Sequence, residues 1–241
     1  MKKIILLLSL LLPLSALASE NVHLDRAPIN SGDKESLQRG AKVFVNYCLN
    51  CHAAAAMRYN RLHDIGLNDE QIKTNLMFAG EKVGETMAVA LRKADAKKWL
   101  GAQPPDLSVV ARSRGVDWLY TYMRSFYRDD TRPTGWNNVV FDKVGMPHVL
   151  WQLQGEQRLK VTEAMVGGEK VEAHQLELVK PGKMSPAEYD AMVADLVNYL
   201  DFMAEPAKLK RYQLGVVVLA FLLIFFFVAL ALKKEFWKDV H

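Results

Sequence analysis

Apolar residues recur at helical spacing in two segments near the two ends of the polar part of the chain. The first segment, 33–48, repeats apolar or small residues at i, i+3, i+4, i+7, i+8 and i+11 from Leu37 to Cys48, after Asp33 as a candidate N-cap. The second begins with Ser-Pro-Ala-Glu at 185–188, a helix-start pattern, and continues at helical spacing to Met203. Helices over 33–48 and 185–204 are predicted, and Gly40 would let them cross closely.

The segments between these helices show weaker and more varied patterns. Residues 66–100 contain few helix breakers after Gly84 and are predicted to be mostly helical, and 115–128 carries a third helical segment. Between residues 159 and 179, two partly alternating runs flank Gly-Gly, which predicts a β-hairpin. The chain is therefore expected to be mainly α, with one β-hairpin.

The first 18 residues have the pattern of a secretory signal peptide. Lys2 and Lys3 precede an apolar run, and Ala-Leu-Ala at 16–18 forms a small-residue cleavage site. The apolar run is short and Pro13 interrupts it, which disfavours an uncleaved anchor. We expect residues 1–18 to be removed and the following domain, 19–207, to be exported.

The other end of the chain has the pattern of a membrane anchor. Residues 214–232 are uncharged, and at about 1.5 Å per residue they span about 28 Å, close to a bilayer core. Tyr212 and Trp237 flank this run as interfacial aromatics. Three basic residues lie on each side of this run, so their distribution does not predict how the span is oriented in the membrane. The predicted export of residues 19–207 does. We expect a transmembrane helix at 212–232, a periplasmic domain and a short cytoplasmic tail at 233–241.

Net charge adds a restriction on binding partners. The formal charge of +4 suggests nucleic acid at first, yet eight of the basic residues lie in the terminal flanks. Residues 19–207 keep 23 basic against 25 acidic residues, so the domain has no basic footprint for nucleic acid. A slightly acidic domain is expected to attract basic carrier proteins.

The two cysteines of the chain occur together, as Cys-Leu-Asn-Cys-His at 48–52. Two thiols are too few for a four-cysteine zinc or iron–sulfur site. A thiol–disulfide exchange motif needs a helix that starts at the first cysteine, whereas here the helical pattern comes before Cys48. The remaining chemistry is one covalent haem c, with Cys48 and Cys51 as attachment points and His52 as an iron ligand.

A second iron ligand and partners for the haem propionates can also be sought in the sequence. Met146 stands between helix-breaking residues in Val-Gly-Met-Pro, which suits a loop that presents a thioether, and we favour it over Met123. Arg112 and Arg114 follow Pro-Pro-Asp-Leu-Ser at 104–108, and a planar guanidinium of either can pair with a propionate. An open haem face, as in a peroxidase, is the alternative.

Taken together, CLNCH, PPDLSVVARSRG, GMP and the C-terminal helix with its anchor resemble the cytochrome c1 family. These proteins are the haem subunits of the quinol–cytochrome c oxidoreductase, complex III. The resemblance implies a class I cytochrome c-like helical domain with insertions and one haem c at Cys48 and Cys51. It further implies His52 and Met146 as axial ligands, a propionate contact for Arg114, and Pro105 as a haem-binding residue.

The resemblance also implies a function. The haem would accept one electron from a Rieske iron–sulfur protein and pass it to a soluble cytochrome c, within a dimeric complex that includes cytochrome b in the bacterial inner membrane. No catalytic site of its own is expected. Alternatives are another membrane-anchored monohaem cytochrome, such as a terminal-oxidase subunit, an open-face haem enzyme and a thiol–disulfide exchanger.

Overall fold

The computed structural model describes residues 23–89, 91–166 and 169–239, so the predicted signal peptide and the Gly-Gly turn of the hairpin lie outside the described residues. The α-helices in this part of the chain are α1 Lys34–Val43, α2 Asp69–Asn75, α3 Lys93–Leu100, α4 Val110–Arg114, α5 Val116–Arg124, α6 Trp151–Gln154, α7 Pro186–Ala204 and α8 Lys208–Phe236. A π-helix at Phe44–Cys48 and a 3₁₀ helix at Tyr59–Ile65 complete the helical elements.

Three small antiparallel sheets accompany the helices in the described residues. The strands are β1 Ala54–Arg58, β2 Thr86–Met87, β3 Phe126–Arg128, β4 Trp136–Asn138, β5 Gly155–Val166 and β6 Glu169–Pro181. They pair consecutively, β1 with β2, β3 with β4, and β5 with β6. The fold is therefore mainly α with small hairpins, as the sequence predicts.

Both predicted terminal helices of the domain form, and each begins at its predicted cap. The Asp33 carboxylate accepts a hydrogen bond from the Ser36 backbone N–H, and Ser185 forms a reciprocal capping box with Glu188. Helix α1 passes directly into the π-helix that ends at Cys48. The predictions of helices at 33–48 and 185–204 are confirmed.

Helices α1 and α7 cross at Gly40 and form the centre of the core. A Cβ atom at Gly40 would lie 2.0 Å from the Asp195 carbonyl oxygen and 2.7 Å from the Tyr199 Cβ, so no larger residue fits. Nearby, the rings of Phe44 and Tyr199 pack with their centroids 5.5 Å apart, and both side chains are fully buried. The close approach expected from Gly40 is confirmed.

Two helical predictions are wrong in part because distant backbone partners replace local ones. Within 66–100 only α2 and α3 are helical, and β2 pairs with β1. The backbone N–H groups of Tyr59 and Asn60 donate to the carbonyls of Glu85 and Val83. Similarly, the helix predicted for 115–128 ends at Arg124, and β3 follows it. A carbonyl bonded to a distant segment is not available for a helical bond.

The predicted hairpin at 159–179 is confirmed and is longer than expected, since β5 and β6 extend it to 155–181. The amide of Gln157 fixes its base by donating to the carbonyls of Arg124 and Phe126. Beyond this base, residues such as Val161 and Val179 are exposed. The hairpin therefore joins the domain at one end.

Helix α8 is the longest helix in the described part of the chain, and none of its residues is buried. It has 29 residues and is long and apolar enough to cross a membrane. Tyr212 and Trp237 are exposed toward its two ends. This arrangement is consistent with a single-pass membrane anchor.

The crossing of α1 and α7 gives a stability prediction. Gly40→Ala should lower the free energy of unfolding by about 1–3 kcal/mol, because the new methyl group collides with backbone rather than with a movable side chain. Denaturant unfolding followed by circular dichroism measures this loss. Gly84→Ala is the control, since nothing lies within 4 Å of a Cβ at Gly84. Equal losses in the two variants would contradict the close crossing.

Candidate functional site

The Cys-Leu-Asn-Cys-His motif forms a compact turn at the C-terminal end of the π-helix. The backbone N–H of Leu49 donates to the Phe44 carbonyl at 3.0 Å, which closes the last wide turn. The N–H groups of Cys51 and His52 then both donate to the Cys48 carbonyl, at 3.1 and 2.9 Å. One carbonyl thus fixes the second cysteine and the histidine relative to the first cysteine. Both thiols are free, with Cys48 buried and Cys51 half-buried.

The environment of Cys48 does not suit thiol–disulfide exchange. Burial raises the pKa of the Cys48 thiol to about 12, and the neighbouring Cys51 adds to the shift. Exchange chemistry requires the opposite, a thiolate stabilised by a helix N-terminus or by nearby positive charge. Cys48 lies instead at the end of a helix. The geometry therefore argues against a thiol–disulfide exchanger.

A hydrogen bond to Pro105 orients the His52 imidazole. Its Nδ1 lies 2.8 Å from the Pro105 carbonyl oxygen, and a carbonyl only accepts, so Nδ1 carries the proton. The opposite nitrogen, Nε2, keeps its lone pair and has no hydrogen-bond partner in the described part of the chain. Burial lowers the pKa of His52, although the Pro105 bond partly opposes this shift. A neutral imidazole with one free nitrogen and a second-shell acceptor is suited to bind iron.

Further hydrogen bonds hold the proline segment along the chain that follows His52. The Leu107 N–H donates to the Ala53 carbonyl at 2.8 Å. In the opposite direction, the backbone N–H groups of Ala55 and Ala56 donate to the side chains of Asp106 and Ser108. The sequence analysis did not assign Asp106 and Ser108 a role. Their polarity within the Pro-Pro-Asp-Leu-Ser motif is the signal that could have indicated one.

Met146 lies in an irregular segment between β4 and α6, as its glycine and proline neighbours predict. Its side chain is half-buried, and its Sδ accepts a hydrogen bond from the Tyr122 hydroxyl at 3.5 Å. Burial raises the pKa of Tyr122, although Arg114 opposes this shift, so the hydroxyl keeps its proton as a donor. Met123 is buried on α5 instead, within the apolar core.

Aromatic rings connect Arg114 to the Met146 region. The Arg114 guanidinium lies 5.1 Å from the Trp118 ring centroid, and Trp118 stacks on Tyr122 at 4.7 Å. Sequence analysis missed Tyr122, although its spacing of four residues from Trp118 places both rings on one face of α5. Arg112 is exposed and does not join this cluster. In the described residues, neither arginine forms an ion pair with a carboxylate.

The structure thus gathers the predicted residues into two groups. His52 and the cysteines meet Pro105, and Arg114 meets Met146 through Trp118 and Tyr122. A single stretch of chain, 105–122, contributes to both groups. Cys51 also lines a cavity of about 190 Å³ together with Ala53 and Pro104.

These residues fit a haem c. They offer two free thiols, a neutral imidazole nitrogen, a thioether and two unpaired guanidinium groups. By contrast, no cluster of three or more His, Cys, Asp or Glu side chains suited to a bare metal ion occurs within residues 23–89, 91–166 and 169–239.

Comparison with known proteins gives a consistent family. The sequence model of the cytochrome C1 family matches residues 25–240. The chain is 48% identical, over the full length of both proteins, to a cytochrome c1 of Allochromatium vinosum. It is 51% identical to a protein of Nitrosomonas europaea named ammonia monooxygenase gamma subunit, covering 100% of this chain and 99% of that one. A cytochrome c1 of Rhodospirillum rubrum is 29% identical over 86% of this chain and 83% of its own. The chain belongs to the cytochrome c1 family.

Proposed function

We propose that this chain is a membrane-anchored, monohaem electron-transfer subunit of a quinol–cytochrome c oxidoreductase. Membership of the cytochrome c1 family implies haem c as the cofactor and electron transport as the role. Within this chain, Cys48 and Cys51 would attach one haem, and His52 Nε2 and Met146 Sδ would bind its iron. The observation that carries this proposal is the His52–Pro105 hydrogen bond, which leaves Nε2 free beside two free thiols.

Each residue has a distinct part in this function. When bound, haem c supplies a one-electron ferrous–ferric couple. His52 is held in one tautomer by Pro105, and Met146 is positioned by the Tyr122 hydroxyl. A soft, neutral sulfur ligand favours ferrous iron and raises the reduction potential. Arg114 and Arg112 are available to pair with the propionates, and Pro105 also contacts the haem site.

Family membership and the apolar C-terminal helix support a proposed direction of electron flow. A Rieske iron–sulfur protein is the proposed donor, a soluble cytochrome c is the acceptor, and cytochrome b is the partner in a dimeric complex. Residues 1–18 act as a signal peptide, 19–207 form the periplasmic domain, and 212–232 cross the bacterial inner membrane, with 233–241 in the cytoplasm. The apolar helix α8, none of whose residues is buried, supports the anchor.

A second candidate function comes from the Nitrosomonas relative. Its name assigns it to an ammonia monooxygenase, and its 51% identity extends along the whole chain. This chain could then deliver electrons beside a monooxygenase rather than within complex III. The partners that copurify with the protein decide between the two assemblies.

Purification from the native membrane tests the proposed function directly. An affinity-tagged chain should copurify with cytochrome b and a Rieske protein, and its band on a denaturing gel should keep a haem stain after acid–acetone extraction. The pyridine haemochrome spectrum should show one haem c per chain, because the sequence holds a single CxxCH. Monooxygenase subunits in place of cytochrome b would support the second candidate, and extractable haem would refute covalent attachment.

The methionine ligand gives a spectroscopic prediction. Met146→Leu should keep the covalent haem, since Cys48, Cys51 and His52 remain. It should abolish the weak long-wavelength sulfur–iron band of the ferric protein and lower the midpoint potential by about 100–200 mV. Met123→Leu is the matched control and should keep both properties. The reverse result would assign the ligand to Met123.

The hydroxyl of Tyr122 gives a smaller, independent prediction. A hydrogen bond to the sulfur withdraws electron density from the iron, so Tyr122→Phe should lower the midpoint potential. A typical hydrogen bond of about 0.5–1.5 kcal/mol corresponds to roughly 20–65 mV for one electron. Redox titration measures the shift while the sulfur–iron band persists. Tyr120→Phe on the same helix is the control, and an equal shift there would contradict a specific Tyr122–Met146 bond.

A further inference from the structure

Charge is distributed unevenly along the domain, and one region is basic although the domain as a whole is slightly acidic. Residues 88–114 hold six basic side chains and only two acidic ones, Asp95 and Asp106. The whole stretch 19–207 carries 23 basic against 25 acidic residues, so everything outside 88–114 is distinctly acidic. The basic residues are divided between helix α3 with its N-cap and the short helix α4.

Helix α3 exposes most of its residues to solvent. Ala96 is its only buried residue, and Trp99 and Leu100 are 67% and 46% exposed at its end. Lys93, Lys97 and Lys98 are exposed, and they form no ion pair in the part of the chain that the structure describes. The N-cap residue Arg92 is neutralised by Asp95 at 2.6 Å. The exposed surface of α3 thus combines three unpaired ammonium groups with a large aromatic ring.

This helix adjoins the CxxCH motif. Lys93 and Ala96 line the same cavity as Cys51, Ala53 and Pro104. The surface of α3 therefore begins next to the second haem-attachment cysteine. If haem propionates neutralise Arg112 and Arg114, the three lysines of α3 still leave the surface of α3 next to Cys51 positively charged.

We propose that α3 is a docking surface for an acidic soluble electron carrier, with Trp99 and Leu100 as the apolar contact and the three lysines as its cationic rim. The inference rests on the proposed function. It names an acidic partner, whereas the slightly acidic composition of the whole domain indicates a basic one. Cationic rims around a small apolar centre accelerate the encounter with acidic partners. On docking, the bound haem would supply one electron, so that its iron is oxidised from ferrous to ferric and the carrier is reduced by one electron, with no proton or group transferred.

The test compares one carrier in two charge states. Oxidised basic mitochondrial-type cytochrome c and its lysine-succinylated, acidic derivative are mixed with the reduced, full-length, detergent-solubilised holoprotein in a stopped-flow instrument. The acidic derivative should react faster at low ionic strength, and salt should remove its advantage. The variant Lys97→Glu/Lys98→Glu should slow the acidic carrier by about tenfold at low salt and leave the haem spectrum and midpoint potential unchanged.

The matched control is Lys34→Glu/Lys73→Glu, which makes the same change of charge on exposed lysines of α1 and α2, neither of which lines the cavity beside α3. This control should alter the rate less than twofold. Equal slowing in both double variants would show that only net charge matters. A faster reaction with the unmodified basic carrier would place docking on an acidic surface outside α3. Either outcome overturns the proposal. Failure of the proposed function is distinguishable, because it appears as absent covalent haem, or as copurifying monooxygenase subunits in place of cytochrome b, rather than as an altered rate.

Discussion

The hydrogen bond from His52 Nδ1 to the Pro105 carbonyl is the interaction on which the rest of the site depends. It selects the tautomer that leaves Nε2 free, and it ties the CxxCH turn to a segment more than fifty residues further along the chain. The backbone of 53–56 and the side chains of Asp106 and Ser108 reinforce this connection on both sides. Pro105 has no backbone N–H group, so its backbone can form a hydrogen bond only as an acceptor, through the carbonyl.

The helical core supports both halves of the site. The crossing at Gly40 fixes α1, which leads through the π-helix to Cys48. The other crossing helix, α7, holds α5 through a hydrogen bond from the Tyr189 hydroxyl to the Met123 carbonyl. Arg124 strengthens that junction by bridging Asp25 and Asp190, at 2.6 Å each. The helix that carries Tyr122 is thereby anchored on the same core as the helix that carries the cysteines.

The distribution of charge shows why composition alone gives an incomplete description of partners. A domain with nearly balanced charge can still present opposite signs on different faces, and an approaching protein responds to the face nearest the electron-transfer site. Here helix α3, whose Lys93 lines the same cavity as Cys51, is basic, while the excess of acidic residues lies elsewhere in 19–207. Local charge, rather than the total, is expected to determine which carriers react quickly.

The sequence by itself determined the elements whose signals are local. The caps at Asp33 and Ser185, the small residue at Gly40, the hairpin and the uninterrupted apolar run of α8 depend on neighbours within a few residues, and the structure contains each of them. The CxxCH motif likewise indicates its chemistry through its own spacing. Only the tertiary structure decided the non-helical course of the chain before α3, the tautomer of His52 and the Tyr122 contact with Met146. These features depend on hydrogen bonds between groups distant in sequence, such as His52 with Pro105 and Tyr59 with Glu85. A single sequence does not encode such pairings in any local pattern, because they exist only once the core has brought the two segments together.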